Sequence, residues 1–166
     1  MDPPVQVLKT ERLLLRHLGP DDAPFILRLL NEPSWIANIG DRGVRTIADA
    51  QRYLDKGPIE MYGRLGFGLY LVCLADNEVP IGLCGLLKRE RLDDVDLGFA
   101  FLPDYWGRGY AHESSAAVLS YPRRSRSLRD ESLPKVVIAT IRARLSVFLA
   151  YDSTAAEDSW AYPLPQ

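Results

Sequence analysis

The chain has 166 residues, 47% of them hydrophobic and 25% charged, enough apolar material for one core of ordinary domain size. With 22 acidic against 20 basic side chains its formal charge is -2, which excludes the global positive field of a nucleic-acid binder. It has no run of about 18 apolar residues that could cross a membrane, and Met1-Asp2-Pro3-Pro4 lacks the basic and apolar regions of a signal peptide.

Cys73 and Cys84 sit inside apolar runs and read as small buried hydrophobes, not as a disulfide framework. The two histidines, His17 and His112, are too far apart in sequence to suggest a metal centre. These features predict a soluble, cytoplasmic α/β or α+β domain without a metal.

Along the chain, residues 10–18 predict a first strand, stopped by Gly19-Pro20-Asp21-Asp22. Phe25, Ile26, Leu29 and Leu30 recur at helical spacing, giving a helix that ends near Asn31, before Pro33. Thr46 and Asp49 form a capping-box pair ahead of Ile47, Ala50 and Leu54, and Gly57-Pro58 is expected to end that helix. The period then changes. Residues 67–74, 80–87 and 95–102 read as three strands, the second broken by Gly82 and Gly85, and their short connections imply an antiparallel meander. Residues 109–121 read as a helix packed through Ala111, Ser115, Val118 and Leu119, broken by Pro122. Beyond it come a basic loop with Arg123, Arg124, Arg126 and Arg129, a buried strand at 135–140, a segment at 145–151 open to either helix or strand, and a tail from Asp152. No internal repeat divides the chain, so one domain over 1–166 is expected, with 122–166 as a divergent C-terminal part.

The chemistry is concentrated in Phe99-Ala100-Phe101-Leu102-Pro103-Asp104-Tyr105-Trp106-Gly107-Arg108-Gly109-Tyr110-Ala111-His112-Glu113, a strand, then a short loop with two glycines, then a helix. Glycines let a ligand approach the backbone, and the free N–H groups and dipole of a helix start attract phosphate. Arg108 adds a full charge. A Walker loop would need Gly-Lys-Ser/Thr, and a dinucleotide fingerprint would need a third glycine where His112 stands. Gly-x-Gly alone also suits a mere tight turn.

The segment Leu97-Gly98-Phe99-Ala100-Phe101-Leu102-Pro103-Asp104-Tyr105-Trp106-Gly107-Arg108-Gly109-Tyr110-Ala111 resembles the acyl-CoA-binding motif of the GNAT N-acetyltransferases. It is most similar to the branch containing the RimJ/RimL ribosomal-protein N-terminal acetyltransferases. The general pattern Gln/Arg-x-x-Gly-x-Gly/Ala runs here as Trp106-Gly107-Arg108-Gly109-Tyr110-Ala111, with tryptophan at its first position as in that branch. Thr10-Glu11-Arg12-Leu13-Leu14-Leu15-Arg16 and Pro80-Ile81-Gly82 match upstream, so the resemblance covers about residues 8–121.

This resemblance implies an α+β GNAT fold, a mostly antiparallel sheet with a splayed parallel strand pair and flanking helices. It implies acetyl-CoA in the splay, its pantetheine against the backbone of Phe99, Phe101 and Leu102, and its diphosphate on Gly107, Arg108, Gly109, Tyr110 and Ala111. Trp106 lines the same loop. The implied reaction is direct attack of a primary amine, on a protein N-terminus or a small molecule, at the thioester carbonyl.

Asp96 is the candidate base, read alternatively as a structural strand carboxylate. Tyr151 is the candidate acid for the thiolate. Glu113 reads as a dipole-stabilising carboxylate, Tyr110 and Trp106 as packing groups and His112 as a surface residue. The arginine stretch from Arg123 reads as a solvated loop, with RNA or the 3′-phosphate of CoA as other readings.

The family's Asn-x-x-Ser/Ala helix and its closing Gly-Phe hairpin are missing from the last third. Ala143-Arg144-Leu145-Ser146 and Ala156-Glu157-Asp158-Ser159 are two imperfect substitutes for the first of them, the former preferred. A truncated or frame-shifted coding sequence or a divergent tail would explain the difference. The C-terminal part is therefore expected to be poorly ordered or to complete the sheet unusually, as by exchange within a homodimer. The rival reading is a catalytically impaired acyl-CoA-binding or interaction protein; an RNA-associated protein ranks below both.

Overall fold

The computed structural model describes residues 4–88 and 95–121. The arginine stretch, the strand expected at 135–140, the segment at 145–151 with Tyr151, and the tail lie outside the described residues. In chain order the elements are β1 (Gln6–Lys9), β2 (Leu13–Arg16), α1 (Ala23–Leu30), α2 (Pro33–Asn38), α3 (Ile47–Leu54), α4 (Glu60–Leu65), β3 (Leu69–Leu74), β4 (Pro80–Lys88), β5 (Val95–Phe101) and α5 (Tyr110–Ser120).

The sheet runs β1-β2-β3-β4-β5, every neighbouring pair antiparallel. Alternate side chains leave its two faces. Leu14, Leu71, Cys73, Leu83 and Leu87 meet Ile26, Leu29, Leu30, Ala50 and Leu54 of α1 and α3. Leu13, Leu15, Tyr70, Val72, Cys84 and Leu97 lie on the other face with Val118 of α5. Cover on both faces explains why β2 and β3 read as unbroken apolar runs. No described helix is long and apolar enough to cross a membrane.

The glycines of β4 do not break it. A Cβ on Gly85 would stand 2.0 Å from the Gly68 carbonyl oxygen, and one on Gly82 would stand 2.4 Å from that of Ala100. Both positions bring neighbouring backbone closer than any side chain allows.

Two further expectations need correction. The strand expected at 10–18 is shorter, and an unforeseen β1 precedes it, with Thr10, Glu11 and Arg12 in the connecting turn. Thr10 closes that turn: its N–H donates to Leu13 O at 2.8 Å, and its hydroxyl accepts from the Leu13 N–H at 3.0 Å. The first helix ends at Leu30, before Pro33 as expected, and Pro33 then opens α2, where its missing N–H goes unneeded. Finally, Gly57-Pro58 does not stop the chain after α3. A π-turn over Asp55–Ile59 absorbs the proline, α4 continues, and Gly66 in the left-handed region (φ 74°) ends it.

Asp22 is buried, and its carboxylate accepts two hydrogen bonds from Arg16, both at 2.8 Å, and one from the Gly19 N–H, also at 2.8 Å. The first helix is thereby tied to β2.

Candidate active site

Strand β5 delivers the chain to a short turn, Pro103–Tyr105, and then to Trp106. Gly107 and Gly109 follow at φ 70° and 80°, conformations that residues with a Cβ rarely adopt. Gly109 is the residue before α5, and the first helical hydrogen bond runs from the Glu113 N–H to Gly109 O at 3.0 Å. The N–H groups of Gly107, Arg108, Gly109, Tyr110, Ala111 and His112 make no hydrogen bond to the described residues. A Cβ built on Gly107 meets nothing within 4 Å. The loop is an open row of donors at the positive end of an 11-residue helix, a setting that favours an oxyanion.

The loop is clasped from behind by the β1–β2 turn. Arg12 Nη1 donates to Arg108 O at 2.9 Å, and Arg12 Nε donates to Glu113 Oε2 at 2.7 Å. Arg12 Nη2 also lies 2.6 Å from Glu113 Oε2. The other carboxylate oxygen accepts from the Thr10 hydroxyl at 2.6 Å and the Arg12 N–H at 3.1 Å. Burial pushes the Glu113 carboxyl up, but the Thr10 and Arg12 donors outweigh it and hold the group below the usual carboxylate range. The Arg12 guanidinium also lies 4.7 Å from the centre of the Tyr110 ring.

The residues singled out from the sequence fall into three groups. Gly107, Arg108, Gly109, Tyr110 and Ala111 share the donor row, and Trp106 precedes it, 53% exposed, with its indole N–H on Phe101 O at 2.8 Å. Phe99 and Phe101 lie on β5, their rings 6.4 Å apart. The Leu102 N–H donates to Ile81 O, its carbonyl accepts from the Tyr105 N–H, and it is 1% exposed. Asp96 stands on β5 opposite Leu87 of β4. His112 is exposed. Tyr151 lies outside the described residues.

A second feature was not anticipated. Trp35, Ile39, Arg42 and Tyr53 form a cleft with Leu69, Leu83, Leu87 and the segment Gly98, Phe99 and Ala100, enclosing about 30 Å³. The Trp35 Nε1–H is buried there without an acceptor among the described residues, and Arg42 is buried. Burial pushes the Tyr53 phenol up, with the Arg42 charge opposing. Donors over an apolar floor suit a ligand that carries oxygen acceptors. Among the described residues no group of three His, Cys, Asp or Glu side chains could hold a metal.

Residues 12–144 match the Acetyltransferase (GNAT) domain family, and the chain belongs to that family. Its sheet and flanking helices are the GNAT fold. Among curated proteins it is 26% identical over 114 residues to the uncharacterized N-acetyltransferase YnaD of Bacillus subtilis (strain 168). That match covers 69% of this chain and 64% of the relative, so the chain spans just under two thirds of that protein. The acetyltransferase from Agrobacterium tumefaciens str. C58 superposes with a TM-score of 0.60 at 20% identity, covering 87% of this chain and 85% of that one. RimL, a ribosomal L7/L12 alpha-N-protein acetyltransferase solved in complex with coenzyme A, has a TM-score of 0.60 at 18% identity, covering 72% of this chain and 69% of that one. At such identities the two structures share the fold.

Proposed function

We propose that this chain is an acetyl-CoA-dependent N-acetyltransferase of the RimJ/RimL-like branch, acting on a primary amine of a protein N-terminus or a small molecule. The observation that carries this reading is the row of N–H groups from Gly107 to His112 that make no hydrogen bond to the described residues, opened by two left-handed glycines at the start of α5. A diphosphate fits these residues: its charge faces the helix dipole, no Cβ intrudes at Gly107, and Arg108 supplies a further cation. The outer edge of β5 at Phe99 and Phe101, where the Phe101 carbonyl already accepts from the Trp106 indole, receives the amide arm of pantetheine as an added strand would.

Bound acetyl-CoA supplies the thioester; this chain's residues orient and exclude. The cleft against Gly98, Phe99 and Ala100 receives the acceptor amine, with Trp35 and Tyr53 holding its oxygen atoms. Asp96, in register with the cleft residue Leu87, takes the amine proton directly or through water. Tyr151 returns a proton to the departing thiolate.

The test is calorimetric titration with coenzyme A, followed by thiol release from acetyl-CoA with a panel of amines. Heat on adding coenzyme A and thiol release with at least one amine are expected. Absence of heat overturns the reading, and tight binding without thiol release from any amine replaces it with the non-catalytic one.

A further inference from the structure

The contacts of Arg12 are out of proportion to what they could contribute to folding. Its side chain is 45% exposed, and ion pairs so placed add little to stability. Yet this one residue reaches the Arg108 carbonyl, both oxygens of Glu113 and the Tyr110 ring, all at the mouth of α5.

We propose that Arg12 is a positioning residue for the diphosphate cradle, and that Thr10 and Glu113 hold it in place. The inference rests on the cofactor reading above. A peptide unit is planar and trans, so its C=O and N–H point in opposite directions. With the Arg108 carbonyl fixed on Arg12 Nη1, the Gly109 N–H is turned away from the β1–β2 turn and toward the open side of the loop. Glycines at 107 and 109 make this peptide easy to flip, and a flipped peptide would present a carbonyl to the diphosphate. Arg12 blocks the flip.

Arg12 is itself constrained. Glu113 grips it through Nε, Nη2 and its backbone N–H, and the Thr10 hydroxyl donates to the same carboxylate. Thr10 is fixed by its own turn with Leu13. The line of contacts thus runs from the sheet to the ligand loop without a free rotor.

Charge gives the arrangement a second consequence. Glu113 stands in the first turn of the helix that would receive the diphosphate, where an unpaired carboxylate would repel it. Arg12 cancels that charge. Loss of Arg12 alone should therefore hurt more than loss of Arg12 and the Glu113 charge together.

The experiment compares the wild-type chain with Arg12→Met, Arg12→Lys and the double variant Arg12→Met/Glu113→Gln. Calorimetry gives Kd for coenzyme A, and thiol release gives kcat and KM for acetyl-CoA and for S-acetylpantetheine, which lacks the diphosphate. Arg12→Met is expected to raise Kd and the acetyl-CoA KM by about tenfold or more, with kcat held within about twofold. Its kinetics with S-acetylpantetheine should match wild type, a split that general loosening of the fold would not produce. The double variant should recover part of the affinity. Arg12→Lys should not recover all of it, because an ammonium cannot serve the carbonyl and the carboxylate in the geometry of a guanidinium fork. Equal Kd for wild type and Arg12→Met, or equal losses with both thioesters, overturns the proposal while leaving the cofactor reading intact. A wild-type chain that gives no heat with coenzyme A overturns the cofactor reading and the proposal together. If Arg12→Met does not fold, Thr10→Val carries the same expectation at smaller size.

Discussion

Replacing Gly109 with valine tests the loop where its geometry is most demanding. The residue has φ 80° and ψ 6°, and a Cβ placed on it would already stand 3.4 Å from Arg12 Nη2. A left-handed conformation costs an L-residue about 1–2 kcal/mol, with a β-branched side chain at the upper end. The γ-carbons would in addition press on the guanidinium that holds the Arg108 carbonyl. This free energy can appear in two places. If the loop keeps its shape, the strain lowers Tm by about 2–4 °C for each kcal/mol. If the loop relaxes, the Gly109 N–H leaves the cradle and the cost moves to the ligand. The lost hydrogen bond to a charged oxygen adds about 1.5–3 kcal/mol, and the total of about 2.5–5 kcal/mol weakens coenzyme A by about 60- to 4,000-fold. Gly107→Ala is the control for Tm alone, since open space at its Cβ leaves only the backbone cost in the ligand-free chain. Calorimetry with coenzyme A and differential scanning of the same samples read both quantities. A Gly109→Val chain with wild-type affinity and wild-type Tm would refute the reasoning.

Three further outcomes follow from the packing. Burial beneath the stacked Tyr62 ring, 4.0 Å away, holds the His17 imidazole below its ordinary value near 6.5. A depressed histidine stabilises the fold fully above the unfolded value and loses that contribution as pH falls through the folded one, so between about pH 7.5 and about pH 5.5 the Tm of wild type should drop more than that of His17→Gln. Asp22→Asn leaves the half-sheltered Arg16 guanidinium without its counter-charge and should cost about 3 kcal/mol in urea unfolding; an unchanged midpoint contradicts the reading. Burial raises the thiols of Cys73 and Cys84 to about 11, so iodoacetamide at mildly alkaline pH should label neither in the native chain and both in denaturant.

How much of this was legible depends on the range over which each signal acts. Strands β3, β4 and β5 were found within about two residues of their ends because helices cover both faces and leave continuous apolar runs. Strand β1 carries no such run; its two end residues are exposed and its two middle ones half-buried. Gly57-Pro58 is not the stop that its proline suggests. A proline says that an N–H is not needed, and that holds at a stop, at the first position of α2 and inside the π-turn before α4. Which of these applies is decided by what the next residues pack against, and that is a property of the assembled helices.

The site divides along the same line. The donor row was readable because glycine spacing and a helix start are local requirements of the backbone, written in consecutive residues. Thr10 and Arg12 were noted only as marks of resemblance, because their partner Glu113 is about a hundred residues away and meets them only once β2 and α5 pack. Their spacing still held a physical clue. In a short turn, residues two apart can project to the same side, so a hydroxyl and a guanidinium at positions 10 and 12 form a ready fork for a carboxylate. Glu113 had been read as a complement to the helix dipole, and it does sit in the first turn. Its oxygens, however, are taken by the fork, so the positive end of α5 stays available to a ligand. An acidic residue at a helix start normally competes with an anion for that end; here the β1–β2 turn removes the competitor.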